Sequence, residues 1–190
     1  MKDGTRKDLI IKKAASLFRK KGFSASSMRE LAVTIGVEAP SLYNHIGSKS
    51  ELLQAICNEV AHTFNMHLDN TLLLQGSVKN KLEKLIRFHI RMMLESFDEV
   101  YVANHEWKHL PKPMLSNFLS QRRMYEKHFV QLIKDGIEQG KLKNIHPHVA
   151  ALTILSAVRG LEFWQRHRKQ LSMEELENNM VQHLLNGLIK

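Results

Sequence analysis

The chain has 190 residues, 43% hydrophobic and 25% charged, and a formal charge of +9 with a pI near 9.7. That is the composition of a globular protein of one or two domains. No stretch is long and apolar enough to span a bilayer, the start Met-Lys-Asp-Gly-Thr-Arg lacks a signal-peptide core, and one cysteine, Cys57, excludes an internal disulfide; a cytoplasmic protein without a membrane partner is expected.

The charge is unevenly placed. Residues 1–50 hold ten Lys/Arg against four Asp/Glu, whereas residues 51–190 hold eighteen against fifteen. A basic N-terminal quarter suits a nucleic-acid partner better than a uniformly solvated surface does. Residues 2–8 read as a polar arm. A first helix follows over about Lys7–Lys21, with Ile10, Ala14, Leu17 and Phe18 at helical spacing. Gly22 caps it and Phe23 turns back into a small core.

Ser27 and Glu30 form a capping box that starts a second helix, in which hydroxyl and carboxylate each satisfy an orphan N–H. Leu31, Ala32 and Ile35 give this helix one apolar face, and Gly36 stops it. A third helix opens near Glu38 with Pro40 in its first turn and Gly47 at its end. Only Leu42 and Ile46 are clearly apolar there. The other side shows Ala39, Pro40, Ser41, Tyr43, Asn44 and His45. Small residues in front allow close backbone approach, and polar ones behind can donate hydrogen bonds, as a helix in a major groove requires. Ser48 and Glu51 make a further box, and Lys49 in the first turn of the next helix adds a cation to an anion-binding helix start.

These residues carry a resemblance. Phe18-x-x-x-Gly22-Phe23, Ser26-Ser27-Met28-Arg29-Glu30-Leu31-Ala32, Gly36-Val37, Leu42-Tyr43-x-His45 and Ser48-Lys49-x-Glu51-Leu52-Leu53 are similar to the DNA-binding domain of the TetR family of transcriptional regulators. The pattern covers about the first quarter of the chain. Ile46 departs from it, since the family most often has an aromatic there. The resemblance implies that Tyr43, His45 and Lys49 hold phosphates and that Arg29 touches a phosphate or a base. Ala39, Pro40, Ser41 and Asn44 are expected at base edges, with Ser27 counted on the same face.

The next helix reads from Lys49 to about Leu74, roughly 35–40 Å at 1.5 Å per residue, long enough to link two domains; Cys57 on it reads as a buried small residue. A helix from Ser77 to about Phe97 follows, striped by Leu82, Leu85, Ile86, His89, Met92 and Met93 and closed by Asp98-Glu99. Then come a short segment, Tyr101–Leu110, ended by Pro111 and Pro113; a helix over Met114–Gln139, with Gly136 and Gly140 at its fading end; one from Pro147 through Phe163; and one started by a Ser172/Glu175 box. The fold class is all-α: an N-terminal three-helix helix-turn-helix domain, residues 1–48, and a helical effector-binding and dimerisation domain, residues 49–190.

His105-Glu106-Trp107-Lys108-His109 matches the H-E-x-x-H zinc motif. Against a metal-binding or hydrolytic reading stand eleven histidines in the chain, the prolines that cut the helix, and a third ligand no better than Glu126 or His128. Neither enzyme activity nor a cofactor is expected. Trp107, Leu110, Arg122, Arg123 and Tyr125 resemble, more weakly, a TetR branch that senses acyl-CoA thioesters. Phe88, Met92, Phe97, Trp107, Tyr125 and Phe129 are the candidate lining of an effector cavity. The three basic residues in 164–169 could meet a CoA phosphate, although such blocks usually face water. Leu152, Leu155, Ser156, Gly160, Met180, Leu184 and Leu188 are expected at a two-fold homodimer interface, which would let two heads read a palindromic operator.

Overall fold

The structure, a computed structural model, describes residues 6–164 and 171–189. Of the arm expected over residues 2–8, residues 2–5 lie outside the described residues and residues 6–8 belong to the first helix; residues 165–169 of the basic stretch also lie outside. The helices are α1 (Arg6–Lys21), α2 (Met28–Ile35), α3 (Ala39–Tyr43), α4 (Lys49–Leu73), α5 (Val78–Glu95), α6 (Phe97–His105), α7 (Lys112–Glu138), α8 (Pro147–Arg159), α9 (Leu161–Trp164) and α10 (Met173–Asn186), with a 3-10 turn at Trp107–His109. Among the described residues the only β feature is an isolated bridge between Leu142 and Ile189.

Packing divides the chain into two units. One takes the residues through His62 together with Asp98–Ser120, and the other takes Thr63–Phe97 and Gln121 onward. Both α4 and α7 therefore contribute residues to each unit. In the first unit α1 packs on α2 and α2 on α3, around Ile10, Phe18, Leu31, Leu42 and Ile46, all 1% exposed. Burial of each such side chain contributes about 1.5–3 kcal/mol. An Arg19–Asp98 ion pair joins α1 to the start of α6. In the second unit α5 is the central helix and contacts α8, α9 and α10. Glu177 of α10, mostly buried, accepts hydrogen bonds from Arg87 and Arg91 of α5 at 3.1 Å. These contacts hold its carboxyl below the ordinary carboxylate range against a desolvation effect that pushes the other way.

Local signals account for most boundaries. Both full capping boxes form, Ser27/Glu30 and Ser172/Glu175. Gly36 ends α2 at φ 78°, a conformation that glycine enters without a Cβ clash.

Four expectations are corrected. Ser96, at φ −120° and ψ 40°, breaks the helix expected to reach Phe97, so Asp98 and Glu99 open α6, where the helix dipole favours acid. Pro113 lies in the first turn of α7, and the carbonyl of Pro111 takes the Leu115 N–H at 2.8 Å, so the prolines start a helix as well as end a segment. The helix expected from Pro147 through Phe163 is divided at Gly160 into α8 and α9. Gly136 is no fading end: it is a buried helical residue where a Cβ would meet Leu142 and Val78 side chains at 2.8 Å. The true stop is Gly140 at φ 69°, with Lys141 N–H on the Gly136 carbonyl and Gly140 N–H on that of Ile137, a Schellman pattern.

Candidate nucleic-acid interface

The helix α3 has five residues and no side-chain N-cap. So short a helix has no stability of its own. It is held by Leu42 and Ile46, each 1% exposed. The Ile46 N–H still reaches the Leu42 carbonyl at 3.1 Å, so one further turn continues past Tyr43. Asn44 is the C-cap, and Asn44 and His45 lie on that turn, not inside a helix that runs to Gly47. An aliphatic Ile46 thus fills the buried position.

With the apolar pair turned inward, the opposite side is presented to solvent. Pro40, Asn44 and His45 are exposed, Tyr43 is 50% exposed, and Ala39 and Ser41 are half-buried. Arg29 on α2 is exposed as well. Ser27 is also exposed, but its hydroxyl is committed to the box, accepting from the Glu30 N–H at 3.2 Å and donating to Glu30 Oε2 at 3.1 Å. Hydrogen bonds from Lys21 and Ser27 lower the Glu30 pKa. At the start of α4 the Ser48 hydroxyl accepts the Glu51 N–H at 3.0 Å, whereas Glu51 Oε2 accepts the N–H of Gly47, not of Ser48.

Lys49 departs furthest from expectation. It is half-buried, and its ammonium donates to the backbone carbonyls of Phe23 (2.8 Å), Ser24 (3.3 Å) and Ser26 (2.8 Å). It also stands 4.5 Å from the centre of the Phe23 ring.

In the second unit three of the six expected effector residues come together: Phe88, Tyr125 and Phe129. They join Phe64, His67 and His89, which were not singled out as lining residues. His67 stacks on Phe88 with centroids 3.8 Å apart and planes at 5°. Phe64 meets Phe88, His89 and Tyr125. His89 Nε2 is 2.6 Å from the Tyr125 hydroxyl. Burial pulls the His89 pKa down to about 3, with His67 and Arg159 acting in the same direction. Burial also lowers that of His67 and raises that of Tyr125. The result is an aromatic cluster whose titratable members are uncharged at neutral pH. The signal for His89 was its place in the apolar stripe of α5. Met92 and Phe97 are half-buried, and Trp107 belongs to the first unit, in its 3-10 turn.

The zinc motif loses its helix. His105 is the last residue of α6, and His109 lies beyond it in the 3-10 turn. The His105 ring stacks on Tyr101 and the His109 ring on Phe23. No group of three or more metal-type side chains converges among the described residues.

Along α8 and α9, Val149 (56%), Leu152 (65%) and Phe163 (66%) are exposed, with Ser156 and Gly160 between them. Leu155 and Met180 are half-buried. Leu184, on the α10 helix that packs on α5, and Leu188, beyond the end of α10, were expected at the same surface but are buried within this chain at 9% and 5% exposure. No described helix is long and apolar enough to cross a membrane.

Comparison with known proteins matches both parts of the chain. Residues 10–56 match the model for bacterial regulatory proteins of the tetR family, and residues 75–188 match a tetracyclin repressor-like C-terminal domain. The HTH-type transcriptional repressor KstR2 of Mycolicibacterium smegmatis is 21% identical, over 97% of this chain and 91% of its own length. The structure of the ketosteroid transcriptional regulator KstR2 of Mycobacterium tuberculosis shares the fold at a TM-score of 0.90, 19% identity and coverage of 98% and 96% of the two chains. AibR, solved in complex with isovaleryl coenzyme A and operator DNA, shares it at 0.80, 24% identity and 93% and 96% coverage.

Proposed function

The chain belongs to the TetR family of transcriptional regulators, and from that premise we propose that it is an effector-responsive repressor. In this reading a homodimer grips a palindromic operator through two copies of α3 and releases it when a small molecule binds. The observation that carries the reading is α3 itself. Leu42 inside it and Ile46 just beyond it are buried, while Pro40, Tyr43, Asn44 and His45 are exposed and Ala39 and Ser41 half-buried, in a segment rich in Lys and Arg. Ala39, Pro40, Ser41 and Asn44 face base edges. Tyr43 and His45 hold phosphates, and Arg29 contacts phosphate or base. The head so defined is residues 1–48, and residues 49–190 bind the effector and the second copy.

Asn44→Ala tests the readout. A bidentate Asn–adenine pair is worth about 1–3 kcal/mol of discrimination, so operator affinity should fall roughly ten- to hundredfold while affinity for random duplex stays constant. Equal loss on both would remove Asn44 from the readout.

The second copy is placed on the stripe of Val149, Leu152, Ser156, Gly160 and Phe163, with Leu155 and Met180 beside it. One head alone reads too little DNA to be selective. Leu152→Arg would force two like charges together at the two-fold axis and should yield a folded monomer by sedimentation. A variant that stays dimeric at micromolar concentration would place the interface elsewhere.

The effector is proposed to be apolar, acyl-CoA-like in its class, with its uncharged part against Phe64, Phe88, Tyr125 and Phe129. Support comes from the charge-free aromatic cluster and from AibR, a fold relative bound to an acyl-CoA. Release then follows if the effector prefers a conformation whose head spacing does not match the operator. The helix α4, whose residues belong to both units, is the lever.

A further inference from the structure

We propose that Lys49 is a positioning residue that fixes the α1–α2 loop and is not itself a phosphate ligand; the inference rests on the DNA-binding reading above. The loop from Gly22 to Ser26 folds on itself. Gly22 is at φ 81°, the Ser26 hydroxyl donates to the Gly22 carbonyl at 2.7 Å, and the Ser26 N–H reaches the Phe23 carbonyl at 3.3 Å. This turn aims the carbonyls of Phe23, Ser24 and Ser26 at one point. Converging carbonyl dipoles repel each other unless a donor sits among them, and a buried one left unmade is costly. The Lys49 ammonium is that donor. It has three N–H groups and meets three carbonyls at 2.8, 3.3 and 2.8 Å, with the Phe23 ring 4.5 Å away.

An ammonium used in this way has no N–H left for a phosphate oxygen. Its effect on DNA passes through what the loop holds. Ser26 precedes Ser27, the cap of α2, and α2 carries Arg29 and packs on α3. Phe23 links the same loop to the 3-10 turn, since its ring stacks on His109 at 5.3 Å. Lys49 therefore sets the angle at which α2 and α3 are presented.

The discriminating variant is Lys49→Arg. It keeps the charge, but a planar guanidinium fork cannot fill a site built for three converging acceptors around one nitrogen. The probe is a palindromic duplex recovered by selection from random-sequence DNA, titrated from low to high salt. The strut predicts a roughly ten- to hundredfold loss of affinity for Lys49→Arg, with the slope of log K against log[salt] unchanged. A phosphate ligand predicts wild-type affinity for Lys49→Arg, and for Lys49→Met a slope reduced by about 0.9 per protomer; that pair of results would overturn the proposal. A second readout uses the wild-type protein without DNA. The Lys49 ammonium protons should exchange measurably more slowly by NMR than those of the exposed Lys13. Equal exchange rates would contradict the cage whether or not the variants fold. Failure to recover any selected duplex would count against the DNA reading alone, and the ammonium exchange would still decide the strut.

Discussion

Leu42→Ala is expected to abolish operator selectivity while leaving most of the protein folded. Leu42 is 1% exposed and is the only buried side chain inside α3. Truncating a buried leucine costs about 2–5 kcal/mol, the spread depending on how far the site collapses. A domain has only about 5–15 kcal/mol in hand, and beside Leu42 the five-residue α3 is anchored only by the half-buried Ala39 and Ser41 and by Ile46 just beyond it. The loss falls on the orientation of Ala39, Ser41 and Asn44 and not on their chemistry. Selective binding should therefore collapse toward the level of random duplex, while salt-dependent non-specific binding, carried by Lys and Arg, persists. Circular dichroism should show the helical content nearly unchanged at low temperature and an early melting step on heating. Wild-type selectivity in a Leu42→Ala protein would show that α3 is not what reads the DNA.

The second large effect is acid destabilisation of the second unit. His89 has a folded pKa of about 3 against an ordinary 6.5. The unfolded chain thus binds more protons than the folded one between those values. Stability is greatest above pH 6.5 and falls as the pH drops through 6.5 toward 3. At about 1.4 kcal/mol per pH unit, a drop to pH 5 should cost roughly 2 kcal/mol. His67, whose pKa is also lowered by burial, adds in the same direction. The lowered carboxylates Glu30, Glu175 and Glu177 lose their contribution only at lower pH, below 4.5. Within the second unit the window from pH 7 to 5 therefore reports on the histidines, whereas Glu99 of the first unit, whose pKa burial raises, works in the opposite direction. Urea unfolding at the two pH values should show this loss, and His89→Gln, which keeps a polar partner for Tyr125 but does not titrate there, should remove most of it. A pH-independent midpoint across the window would mean that His89 is hydrated and not enclosed.

What could be read from the sequence was what short-range chemistry decides. Ser27 with Glu30, Ser172 with Glu175, and Gly36 specify their helix ends within a few residues, and all three formed. The burial of Leu42 and Ile46 followed from their being the only clearly apolar residues in the segment 38–47. Other features depend on partners distant in the chain. Periodicity suggested that Leu184 and Leu188 share a side of the last helix, but not that α10 would pack on α5 and end at Asn186, with Leu188 buried beyond it. Gly136 looked like a terminator because nothing local shows Leu142 folding back over it. Lys49 looked like an anion ligand because a lysine at a helix start has that tendency, while its three acceptors lie more than twenty residues earlier. His105 and His109 matched a metal spacing that holds only on an unbroken helix, and α6 ends between them.

The account rests on α3 lying in a duplex groove as one of a symmetric pair, and selection of genomic fragments followed by salt-titrated footprinting tests this most directly. It predicts protection of a palindrome, two protomers per site, and an affinity that falls steeply with salt yet exceeds that for random duplex by a factor of about a thousand or more. Binding that is equally strong on all sequences, or absent at low salt, would contradict it.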